Sequence, residues 1–269
     1  MGGGHEPEPC RTVSGVLVSP DDQAAGFRSE IAAAIAAGPD EFFVWFNDAD
    51  DTDDSFRRGA WEFSTNIATP LARHLPADRT GTVVEVGYGG GRLLAAASRH
   101  FTSAVGVDVH EHADVVAGEL ERRGVKNCDL RQSDGITIPL ADESVDAVYT
   151  FIVMQHVGRV AVFDGYVRET ARVLRPGGAA VIYFGRWGRL STRHQAQWLY
   201  AADRVAEPLI LRAGYRERPS QINATNLLIS LGHARRTARE AGLGVLDTLV
   251  SRRRNGAFGG QHGLIVRRI

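Results

Sequence analysis

The chain has 269 residues, 43% hydrophobic and 23% charged, with a formal net charge of -1 at pH 7. This is ordinary globular composition. It gives no global attraction to a phosphate backbone, and no apolar run approaches the ~20 residues that span a bilayer. Cys10 and Cys128 lie far apart without metal-ligand spacing, which argues against a disulfide framework and a zinc site and points to a soluble protein of the reducing cytoplasm.

Residues 1–20, rich in Gly, Pro and polar groups, read as a flexible segment with a short strand possible at Val13–Val18. Met1-Gly2 is not an acylation signal, because Glu6 stands where Ser or Thr is expected. After Pro20-Asp21-Asp22 the Ala-rich run Gln23–Ala37 reads as a helix stopped by Gly38-Pro39. Phe42, Phe43, Val44, Trp45 and Phe46 then read either as a cap packed on the core or as a roof over a ligand cleft.

The acidic stretch Asn47–Asp54 is compared with a calcium loop and rejected. It has no glycine at the sixth position and no correctly placed closing carboxylate, so it reads as a solvated loop capping the next helix. From Ser55, Phe56, Ala60, Phe63, Ile67 and Leu71 recur at helical spacing, giving a helix expected to bend near Pro70 and end around His74. Residues 21–76 are thus expected to form a helical cap, and 77–269 the main domain.

Val83–Val86 is an apolar strand running through a glycine turn, Gly87, Gly89 and Gly91, into a helix from Arg92 to His100. Missing Cβ atoms there allow positive φ and let a ligand lie against backbone N–H groups at the start of a helix. A dinucleotide fingerprint needs its third glycine at position 92, which is Arg; a P-loop needs Gly-Lys, and the lone lysine is Lys126.

From Thr82 the order is strand, helix, strand Ala104–Asp108, helix Glu111–Arg123, strand Cys128–Gln132. Such alternation means a parallel sheet that binds ligands at the carboxyl ends of its strands. Asp108 closes the second strand, where an acid accepts both ribose hydroxyls or caps the next helix. Asp134-Gly135 follows the third strand and has a plain Ser-Asp-Gly turn as its competing reading.

Several stretches in order carry a resemblance: Glu85-x-Gly-x-Gly-x-Gly91, Ile138–Phe151, Ile152–Val157, the helix Ala161–Leu174, and Arg175-Pro176-Gly177-Gly178 leading into strand Ala179–Phe184. Over roughly residues 80–185 the chain resembles class I S-adenosylmethionine-dependent methyltransferases of the small-molecule type. The resemblance implies an α/β, doubly wound, Rossmann-like sheet of seven strands. It is mostly parallel, and an antiparallel edge hairpin, Gly244–Val250 with Gly263–Arg267, finishes it.

It further implies S-adenosyl-L-methionine as cofactor and S-adenosyl-L-homocysteine as product. Glu85, Gly87, Tyr88, Gly89 and Gly91 would lie at the methionine end, with the Arg58–Trp61 stretch above it. Asp108 and Val109 would hold the ribose side, Asp134 the adenine amino group, the Gly135 N–H a ring nitrogen, and Phe151 the end of the fourth strand.

His156 is the candidate base, with a structural, helix-capping histidine as the alternative and His194 in reserve; Arg186 and Trp187 would orient the acceptor. Residues 186–221 would be an acceptor lid, with helices expected at Arg193–Leu211 and Asn226–Ala241.

The Asp/Asn-Pro-Pro-Tyr/Phe signature is absent, so nucleobase N-methylation is disfavoured. The expected reaction is methyl transfer to a small-molecule acceptor, more readily a hydroxyl oxygen, without metal and without membrane; a homodimer is left open. The alternatives are RNA or protein methylation, served by Arg235, Arg236, Arg239 and Arg252–Arg254, or adenosyl-ligand binding without catalysis. An NAD oxidoreductase is disfavoured by Arg92. The preference for Arg over Lys, with many Ala and Gly, points to a GC-rich bacterial genome.

Overall fold

A computed structural model describes residues 17–18, 22–46, 49–78, 80–188, 197–218, 220–250 and 260–269. His194, Cys10, Arg252–Arg254 and most of the 1–20 segment lie outside the described residues.

Eleven strands and nine α-helices are described, in the following order. The N-terminal part holds β1 (Leu17–Val18), α1 (Gln23–Ala37), α2 (Pro39–Trp45), α3 (Thr52–Glu62), a π-helical stretch (Phe63–Ala68) and α4 (Thr69–Ala72). The central part holds β2 (Thr82–Val86), α5 (Arg92–Ala97), β3 (Ser103–Asp108), α6 (Ala113–Arg122), β4 (Cys128–Gln132), β5 (Val145–Thr150), α7 (Val160–Val173) and β6 (Leu174–Gly185). The last part holds α8 (Gln197–Ile210), β7 (Tyr215–Glu217), β8 (Ser220–Gln221), β9 (Leu227–Ile229), α9 (Leu231–Glu240), β10 (Leu243–Val250) and β11 (Gln261–Arg268).

Seven strands form the main sheet in the order β10-β11-β6-β5-β2-β3-β4. β2 to β6 are parallel to their neighbours, while β11 runs antiparallel between β6 and β10. This is the doubly wound sheet with an antiparallel edge hairpin. The strand order reverses between β2 and β5, so a crevice opens at the carboxyl ends of those two strands.

Because side chains alternate across a strand, the sheet supports two cores. Val84, Val86, Val105, Val148, Ile182 and Val266 face Phe163 and Val167 of α7 and Ala234 and Ala238 of α9. Val83, Ala104, Ala147, Tyr149, Val181 and Ile265 face the other way, towards Phe42, Phe43, Phe56, Phe63 and Leu94. Both faces are covered, which explains why the central strands read as continuous apolar runs.

Three local expectations change. The helix expected at Asn226–Ala241 begins only at Leu231. Leu227–Ile229 pairs antiparallel with Tyr215–Glu217, and Ser230 caps the helix through its Oγ, which accepts from the His233 N–H at 3.2 Å. The Arg175–Gly178 turn lies inside β6, where Leu174 pairs with Val145 and the register shifts before Ala147.

The helix carrying Pro70 departs from α-geometry at Phe63–Ala68, before the proline. Proline removes the i to i−4 bond to the Asn66 carbonyl. That carbonyl instead accepts from the Tyr183 hydroxyl of β6 at 2.9 Å. Asp51 caps α3 by accepting from the Asp54 N–H at 2.7 Å, so part of the acidic loop serves the helix start.

Candidate active site

A cavity of about 280 Å³ occupies the crevice. Its floor is the glycine turn after β2 and the ends of β3, β4 and β5; its roof is α1 and α2. Glu85, Gly87, Tyr88, Gly89, Asp108, Val109, Asp134, Gly135, Phe151 and His156 all border it. Gly91 stands outside this wall as the left-handed N-cap of α5, with φ +78°, and Val116 Cγ1 would lie 2.7 Å from a Cβ there.

The turn is shaped by lack of space. At Gly87, with φ +82°, an added Cβ would stand 2.2 Å from Val153 Cγ2. At Gly89 it would stand 2.7 Å from the Phe46 ring, which packs down from α2. The N–H groups of these three glycines are spent inside the protein: Gly87 donates to the Val107 carbonyl at 2.7 Å, Gly89 to Asp108 Oδ2 at 2.8 Å, and Gly91 to the Tyr88 carbonyl at 2.7 Å. The glycines therefore supply room, rather than their own amides, to whatever binds.

Asp108 accepts from the Gly89 and Val109 N–H groups, at 2.8 and 2.7 Å. A carboxylate has about four acceptor positions, so two remain for a vicinal diol. His110, which the sequence reading did not single out, is fully buried and locks the same turn. Its Nε2 donates to the Gly89 carbonyl at 3.1 Å while its Nδ1 accepts from the His112 N–H at 3.2 Å. Nothing in spacing alone distinguishes such a histidine from a surface one.

Asp134 is tied into its own turn, accepting from the N–H groups of Ile136 and Thr137 at 2.9 and 2.7 Å and from Thr137 Oγ1 at 2.9 Å. Those backbone donors hold its carboxyl below the usual range. The Gly135 N–H is likewise committed, donating to Ser133 Oγ at 3.0 Å.

Glu85 is buried at the cavity wall and accepts from the Tyr149 hydroxyl at 2.9 Å. Burial pushes its carboxyl up to about 8, against the opposing pull of Tyr149 and of the Arg92 charge. Arg92 also reaches the wall, paired with Glu62 of α3.

His156 follows β5 and lies 6.0 Å, ring to ring, from Phe27 of α1. Its Nδ1 donates to the Ala224 carbonyl at 2.7 Å, leaving Nε2 as the acceptor that meets Gln155 Nε2 at 3.2 Å. Burial lowers its pKa, so the ring is neutral at pH 7. Beside it, Ile152 has φ +70°, an outlier for a β-branched residue, with its N–H held by Gln261 Oε1 at 3.2 Å.

The roof is apolar. Phe27, Ile31, Trp45 and Phe46 border the cavity, whereas Phe42 and Phe43 are buried in the core, so the aromatic run serves as cap and roof together. The Arg58–Trp61 stretch does not reach the cavity. Gly59 packs α3 against α5, where an added Cβ would stand 2.7 Å from the Arg92 carbonyl oxygen, and Trp61 is exposed. Arg186 and Trp187 do not border the cavity either; Arg186 is buried beyond β6 and its N–H donates to the Gly260 carbonyl at 3.1 Å.

Among the described residues no cluster of His, Cys, Asp and Glu is placed to hold a metal, and no helix is long and apolar enough to cross a membrane.

Residues 84–182 match the family described as "Methyltransferase domain". The chain is 28% identical over 123 residues to ubiquinone biosynthesis O-methyltransferase of Agrobacterium fabrum, covering 46% of this chain and 47% of that protein. It is 31% identical over 106 residues to an uncharacterized methyltransferase of Mycobacterium ulcerans, covering 39% of this chain and 40% of that protein. The chain thus spans less than half the length of these curated relatives.

Two solved structures share the fold. One is 1,6-didemethyltoxoflavin-N1-methyltransferase of Burkholderia thailandensis with S-adenosylhomocysteine bound, at TM-score 0.59 and 17% identity over 95% of this chain and 93% of that one. The other is the [4+2]-cyclase SpnF, at TM-score 0.57 and 16% identity over 95% and 99%. The sheet order, the glycine turn and the match over residues 84–182 agree: this stretch matches a methyltransferase domain, set in a fold that the chain shares with solved S-adenosylmethionine-dependent methyltransferases.

Proposed function

We propose that the protein transfers a methyl group from S-adenosylmethionine to a neutral small-molecule acceptor, preferentially at a hydroxyl oxygen. One observation carries this reading: the glycine turn, Asp108 and a neutral His156 border a single cavity to which α1 and α2 present uncharged, mostly apolar side chains. The residues fit the cofactor. Asp108 has acceptor positions left for a ribose diol, Arg92 would offer a cation to the methionine carboxylate, and Glu85 would lie on the ammonium side. When bound, that cofactor supplies a methyl group already activated on a sulfonium.

The protein's task is then alignment. Holding the acceptor in line beneath Phe27 and Trp45 is worth on the order of 7–11 kcal/mol, more than one general base contributes. His156 Nε2, neutral and at the cavity wall, takes the hydroxyl proton once Gln155 yields it. No metal is assigned a step, and turnover is expected to survive a chelator.

Among the described residues no lysine or arginine of α1 or α2 borders the cavity, which supports a small acceptor over RNA or protein. Arg235, Arg236 and Arg239 sit on α9, whose buried residues join the core on the face of the sheet away from the roof.

A second reading, adenosyl-ligand binding without transfer, is supported by the Gln155 amide already occupying His156 Nε2. A fold relative whose name is a cyclase adds that this scaffold does not dictate methyl transfer. Incubation with methyl-labelled cofactor and a panel of hydroxylated small molecules separates the readings. Labelled small product supports the first; binding of adenosylhomocysteine without any transfer supports the second. No heat with adenosylhomocysteine but saturation by NADH overturns both.

A further inference from the structure

Gln23, the first residue of α1, borders the cavity and is only 7% exposed, yet neither its Oε1 nor its Nε2 has a hydrogen-bond partner among the described residues. Burying both ends of a primary amide unpaired is costly, and such an orphan at a cavity wall calls for a ligand that supplies the partners. Its neighbour Ala24 fixes where this happens. The Ala24 Cβ and Val109 Cγ1 both lie 3.5 Å from the position of a Cβ on Gly135, so the start of α1 sits over the ends of β3 and β4.

The groups from which the adenine contacts were expected are largely used up. The Gly135 N–H donates to Ser133, and Asp134 accepts three bonds from its own turn. Above this end of the cavity, the Gln23 amide has both its acceptor and its donor unspent among the described residues. An amide places an acceptor beside a donor, the pattern that matches an adenine amino group and the ring nitrogen next to it.

We propose that Gln23 reads the adenine edge of the bound nucleoside, its Oε1 accepting from the exocyclic amino group and its Nε2 donating to the adjacent ring nitrogen. The assignment rests on the adenosyl reading of the cavity. It makes α1 part of the nucleoside site as well as its roof, so that recognition comes from an element outside the matched residues 84–182.

Calorimetric titration tests this, using adenosylhomocysteine and its analogue with hydrogen in place of the 6-amino group. The proteins are the wild-type chain, Gln23→Leu and Gln23→Glu, each checked by thermal melting. The wild type should prefer the amino-bearing ligand by about tenfold. Gln23→Leu should bind adenosylhomocysteine about ten- to a hundredfold more weakly and treat the two ligands alike. Gln23→Glu, which accepts without donating, should weaken binding but retain the preference, and this arm decides the matter if the leucine variant does not fold.

Unchanged affinity in either variant, or a leucine variant that still discriminates, overturns the assignment while leaving the adenosyl pocket standing. A wild type that binds no adenosylhomocysteine overturns both.

Discussion

Gly87 combines positive φ with a Val153 methyl 2.2 Å from where its Cβ would stand, so alanine there meets strain and collision together. Gly87→Ala should cost about 1–3 kcal/mol in a denaturant melt and weaken adenosylhomocysteine binding more than tenfold. His156 makes a different prediction, because its neutral ring is already the basic form at pH 7. His156→Gln should lower kcat about a hundredfold or more while leaving adenosylhomocysteine affinity near wild type. In the wild type the rate should fall on acidification below the ordinary imidazole range; a rate that holds or rises there would remove His156 from the role. At this scale the sequence was half legible. Gly87, Gly89, Asp108 and His156 carry motif spacing, whereas His110 and Gln23 act through burial and missing partners, which only packing reveals.

Among elements, the contact of α3 with α5 is made at Gly59, against the Arg92 backbone. Gly59→Ala should push the helices apart and cost about 1–3 kcal/mol, read as a lower denaturation midpoint at unchanged slope. Tyr183→Phe should cost about 1 kcal/mol by removing its hydrogen bond to the Asn66 carbonyl. The central strands and helices could be read from their periods because each is amphipathic or buried on both faces. β9 could not: Leu227-Leu228-Ile229 suits helix or strand equally, and its partner Tyr215–Glu217 is supplied by tertiary context. The aromatics after β6 read as a lid from sequence, while among the described residues the roof over the cavity comes from α1 and α2, far away in sequence.

For the whole molecule, Glu85 makes stability depend on pH in an unusual direction. The folded protein holds that proton up to about 8, whereas an exposed glutamate loses it near 4.5, so the folded state binds more protons in between and stability falls as pH rises through this window. Glu85→Gln keeps an acceptor for Tyr149 and should raise Tm by several degrees at pH 8.5 but hardly at pH 5. Equal shifts at both pH values would mean that Glu85 is ionised in the fold. Burial that lowers His156 and His262 acts on the acid side: each binds a proton more readily when unfolded, so stability drops as pH falls below about 6.5. The grip of Asp108 and His110 on Gly89 has a dynamic consequence. A loop clamped from both its amide and its carbonyl is cast before any guest arrives, so docking should set few new torsions. Deuterium uptake at the Gly89 amide should therefore already be slow in the empty protein, and adding nucleoside should retard it little further.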